Sequence, residues 1–129
     1  MTNDELSIIN YQLSIIMAII IKTDTPDTLL DEIYEGIQSK KVDKWASTAD
    51  GRLTYASLLW KNEAWFKPQI WVEEKELRFG LIKRKDRKHI STKLYTMFHT
   101  KFVEMLLSHF DTLFREVTVS AVRTEPDEF

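Results

Sequence analysis

Residues 91–114 carry more apolar surface than any single packing partner can cover. Projected at about 100° per residue, Leu94, Tyr95, Phe98, His99, Phe102, Val103, Met105, Leu106, Leu107, His109, Phe110 and Leu113 fall on one continuous arc of roughly 220°. Met97, Thr100, Lys101, Glu104, Ser108 and Asp111 take the remainder. A helix lying on one face of a sheet needs a stripe of little more than about 100°. The excess demands a second neighbour, which is the first helix, the N-terminal residues or another copy of the chain. A homodimer formed through this helix is therefore expected, with Tyr95, His99, Phe102, Leu106, His109 and Phe110 as its candidate interface residues.

Strand and helix patterns alternate along the rest of the chain. Residues 16–22 form a short β-branched run that suits a strand buried on both faces. Thr25-Pro26 opens a helix over 26–40, with Leu29, Leu30, Ile33, Tyr34 and Ile37 on one face. Asp50-Gly51 sits between two strand-like arms and predicts a hairpin over 45–55. Residues 57–65 have no clear period and read as a turn or loop leading to Pro68. Residues 69–73 and 76–84 read as two strands around an acidic turn, and 117–123 as a last strand. Without the hairpin near residues 45–55 the order is βαββαβ. The predicted class is α+β: an antiparallel sheet with two helices on one face, on the ferredoxin-like plan with an inserted hairpin.

A chain of 129 residues is one domain in size, and 43% hydrophobic with 29% charged residues is a globular balance. Residues 17–124 are taken as that domain and 125–129 as an acidic tail. Leu6-Ser7-Ile8-Ile9 recurs as Leu13-Ser14-Ile15-Ile16, too short a heptad pattern for a coiled coil. Residues 1–16 read either as an extension, with Met17 opening the folded unit, or as an amphipathic helix capped by Thr2 and Glu5. The apolar run 15–21 is too short to span a bilayer, and the start Thr2-Asn3-Asp4-Glu5 lacks the basic residues of a signal peptide. A cytoplasmic location with no membrane partner is expected.

The absence of cysteine excludes disulfides, thiolate metal sites and cysteine nucleophiles. His99 and His109 lie about 15 Å apart along the helix and about 80° around it, so they cannot share a metal ion, and no metal or cofactor is expected. Three glycines cannot build a phosphate-cradling loop or a nucleophile elbow. A net charge of −2 gives no global attraction for nucleic acid, which leaves a local patch: Lys83, Arg84, Lys85, Arg87, Lys88 and His89. Trp45, Trp60, Trp65 and Trp71 would supply stacking faces if exposed. Over five residues Arg78-Phe79-Gly80-Leu81-Ile82 resembles the stacking strand of an RNA recognition motif. The glycine before the first aromatic is missing, Leu81 replaces the second aromatic, and the first strand has none, so no function follows from it.

The leading expectation is a small non-enzymatic interaction or regulatory domain that self-associates through residues 91–114. The alternatives are a nucleic-acid-binding accessory protein using 83–89, and a hydrolase or nuclease using Asp24 with His99 or His109.

Overall fold

The computed structural model describes residues 18–88 and 90–120. Expectations placed on residues 1–17, on His89 and on 121–129, which include the end of the strand expected over 117–123 and the acidic tail, lie outside the described residues. Strand β1 (Ala18–Lys22) buries Ile19 and Ile21 completely, as a β-branched strand between two neighbours should. Helix α1 (Pro26–Gln38) begins on proline, whose fixed φ suits a first turn, and buries Leu29, Leu30, Ile33 and Ile37. Strands β2 (Trp45–Ser47) and β3 (Leu53–Tyr55) form the hairpin expected from Asp50-Gly51. Strand β4 (Ala64–Trp71), β5 (Glu76–Lys83), helix α2 (Thr92–His109) and β6 (Glu116–Val119) complete the chain.

All six strands join one sheet in the order β2-β3-β4-β5-β1-β6, and every neighbouring pair is antiparallel. The hairpin is thus no appendage to a four-stranded sheet; it extends the sheet beyond β4. Strand β4 also starts earlier than the sequence suggests, because Pro68 lies inside it. Strand β3 meets β4 only at Leu53 opposite Phe66, so at Pro68 the outer side of β4 carries no ladder and a residue without an N–H is tolerated.

The expected helix over 91–114 stops at His109. Ser91 caps its start by accepting a hydrogen bond from the Leu94 amide, 3.1 Å away. Past the C-terminal end, the Thr23 hydroxyl donates to the Leu113 carbonyl at 2.7 Å and the Arg115 amide to the Lys22 carbonyl at 2.8 Å. Those bonds turn the chain back beside β1, where Ile19 faces Val119 and Ile21 faces Val117.

Register places Ile19, Ile21, Leu77, Phe79, Leu81 and Phe66 on one face of the sheet. Both helices bury their apolar residues in the same cluster. Its centre is aromatic: Phe102 lies 4.7 Å from Phe79 and 4.8 Å from Phe66, ring centre to ring centre, and Trp45 meets Phe102 edge-on at 5.2 Å.

Candidate interaction surface

Most of the wide arc on α2 is consumed within one chain. Phe98 and Phe102 meet Trp45 and Phe66 of the sheet, and Phe110 reaches α1. The second neighbour demanded by the arc is, in part, that first helix: a β-carbon on Gly36 would sit 3.1 Å from the Phe110 ring. Of the six candidate interface residues, Tyr95, His99, Phe102, Leu106 and Phe110 are buried in this core, and His109 is exposed. What remains uncovered is the margin of the arc, where Leu107 is 54% exposed and Val103 half-buried.

That margin faces strand β6. Together Val103, Leu107 and Val119, with His99, Thr100, Glu104 and Ser108, line a predominantly apolar groove of about 570 Å³. Strand β6 is the last in the sheet, hydrogen-bonded to β1 on one side and to no strand among the described residues on the other. An unpaired strand edge beside an apolar groove is a template for another strand. The exposure of Val103 and Leu107 was within reach of the sequence, since both lie toward the edge of the arc. That β6 would be a border strand was not, because order within a sheet is set by long-range pairing.

His99 borders the groove without serving it chemically. Its Nδ1–H donates to the Tyr95 carbonyl at 2.8 Å, while Nε2 is buried with no hydrogen-bond partner among the described residues. Burial, opposed weakly by the bond to Tyr95, lowers its pKa to about 4. At neutral pH the ring is uncharged and a poor base.

The basic loop is largely self-neutralised. Arg84 bonds Glu63 at 2.9 Å and Asp86 at 2.8 Å, and these partners raise its already high pKa further. Arg87 also reaches Glu63, at 3.3 Å, whereas Lys85 and Lys88 are exposed and Lys83 half-buried. Trp45 is buried, and Trp65 and Trp71 each have a ring face covered by a guanidinium, Arg52 at 5.0 Å and Arg78 at 3.8 Å. Asp24 is exposed and paired with Arg115 at 2.6 Å. It lines a small cavity with Thr23 and Arg115, whereas His109 lines another with Asp43 and Lys101. Among the described residues no three histidine, aspartate or glutamate side chains are placed to hold a metal ion.

No family model matches the chain, and neither a curated protein nor a solved structure matches it. The functional reading therefore rests on the chain's own chemistry.

Proposed function

We propose that the chain is a non-enzymatic interaction domain that self-associates through the β6 edge and the adjoining margin of α2. Its core is read as the ferredoxin-like plan, in which β1, α1, β4, β5, α2 and β6 supply βαββαβ and the β2–β3 hairpin is added. The observation carrying the proposal is the continuity between a strand edge that pairs with no other strand among the described residues and the groove lined by Val103, Leu107 and Val119. A second strand would satisfy the outward backbone groups of β6, which no described strand pairs, and a second apolar helix margin would remove Leu107 and Val119 from water. One surface offers both needs, so a two-fold pairing with another copy meets them at once.

The rival readings draw less support. Arg84 and Arg87 are committed to Glu63 and Asp86, which weakens the loop as a phosphate-binding patch. Asp24 and the two helix histidines do not line a common cavity among those described.

Sedimentation equilibrium tests the proposal. A dimer in the native chain that is lost in Val119→Arg and in Leu107→Glu supports it. A native monomer at high micromolar concentration, or a dimer indifferent to both substitutions, overturns it.

A further inference from the structure

The turn between β3 and β4 displays two leucines almost completely to solvent. Leu58 is fully exposed and Leu59 is 78% exposed. The turn is well tied: the Lys61 amide donates to the Ser57 carbonyl at 2.9 Å, and the Asn62 amide to the Thr54 hydroxyl at 3.2 Å. Asn62 adopts the left-handed conformation at φ 63°, which asparagine tolerates better than most residues. The leucines are held outward by an ordered loop.

Strand β4 begins where β5 ends, Ala64 facing Lys83, so the 84–88 loop leaves the same end of the sheet. Glu63 clasps the two loops together by accepting from Arg84 at 2.9 Å and from Arg87 at 3.3 Å. One end of the molecule thereby combines Leu58 and Leu59 with Lys61, Lys85 and Lys88, all three exposed, while the two arginines are balanced by Glu63 and Asp86. Two features that look unrelated in sequence become one surface.

We infer that this end of the sheet docks onto an anionic lipid surface, Leu58 and Leu59 entering the headgroup–acyl boundary and the lysines meeting phosphate and carboxylate headgroups. An apolar wedge ringed by cations is the chemistry such an interface rewards. A bilayer accepts a projecting turn without a matching cavity, whereas leucines gain nothing from a nucleic-acid backbone. This is contact with a surface, distinct from crossing it; no helix among the described residues is long and apolar enough to span a membrane. The expectation of no membrane partner rests on an apolar run too short to span a bilayer and on a start without basic residues, and a peripheral contact needs neither.

Vesicle flotation of the full chain is the test, with phosphatidylserine–phosphatidylcholine vesicles against phosphatidylcholine alone. The native chain should float with the anionic vesicles and release as salt is raised. Leu58→Ser with Leu59→Ser should weaken binding about tenfold or more. Lys85→Glu with Lys88→Glu should do the same, since each cation near an anionic surface contributes about fivefold. Unchanged circular dichroism melts would show that both variants remain folded. Failure of the native chain to float at low salt overturns the inference, and so does binding that survives loss of both leucines. A dimer lost in the leucine variant would assign the turn to protein contact instead, and would also overturn it.

Discussion

His99 and Tyr95 form a stacked pair, ring centres 3.8 Å apart, in which the histidine donates to the backbone carbonyl of the tyrosine four residues earlier. The other imidazole nitrogen of His99, Nε2, is buried without a partner among the described residues. Its folded-state pKa of about 4 lies below the ordinary value of 6.5. The unfolded chain therefore takes up a proton that the folded chain refuses, and stability falls as pH drops from about 6.5 towards about 4. At about 1.4 kcal/mol per unit the loss is on the order of 3 kcal/mol. Urea unfolding across that interval should show the decline in the native chain and a flatter profile in His99→Phe; equal slopes would contradict it.

Glu76 lies on the sheet face opposite the helices and is buried there. Burial opposes its ionisation, yet hydrogen bonds from Lys22 and Arg78 outweigh burial and keep its carboxyl below the usual range. Arg78, fixed by that carboxylate at 2.8 Å, lies over the Trp71 ring. Glu76→Ala strands two cations and should cost about 2 kcal/mol or more in denaturant unfolding. It should also alter tryptophan fluorescence before unfolding, as the guanidinium leaves Trp71.

Gly51 has φ +87°, and a β-carbon there would lie 2.8 Å from the Tyr34 hydroxyl. The same hydroxyl donates to the Gly51 carbonyl at 2.6 Å, pinning the hairpin to α1. Gly51→Ala combines backbone strain with a clash and should destabilise by about 2 kcal/mol. Tyr34→Phe, which loses only the hydrogen bond, should cost about 1 kcal/mol. Thermal melts that rank the two the other way would contradict this contact.

Gly36 lies inside α1, where alanine ordinarily stabilises a helix by up to about 1 kcal/mol. Here the added carbon would meet Val42 at 3.0 Å and Phe110 at 3.1 Å. Overpacking of that kind costs about 1–3 kcal/mol, so the balance favours a net loss of about 1 kcal/mol in Gly36→Ala. A stabilised variant would mean that Val42 and Phe110 lie farther from Gly36 than these distances.

Local signals made several elements legible. The Thr25-Pro26 start and apolar spacing placed α1, the isoleucine run placed β1, and Asp50-Gly51 placed the hairpin. Boundaries set by tertiary bonds were hidden. Nothing near His109 in the sequence stops a helix, because the stop is made by Thr23 and Lys22 gripping Leu113 and Arg115. Pro68 looked like a boundary because the chain alone does not reveal that one side of β4 is unpaired. The helix itself was legible, but which part of its arc the chain covers was not: Phe102 and Leu106 are among its greasiest positions and are completely buried. The arc's margin, with Val103 and Leu107, is what stays in contact with solvent.

Self-association through that margin is tested most directly by the mass of the native chain in solution, measured by sedimentation equilibrium over a rising concentration series beside Val119→Arg. A mass climbing to twice that of one chain, while the variant stays at one, is the predicted result. A mass that stays at one chain throughout, or a variant that doubles alongside the native protein, would contradict it.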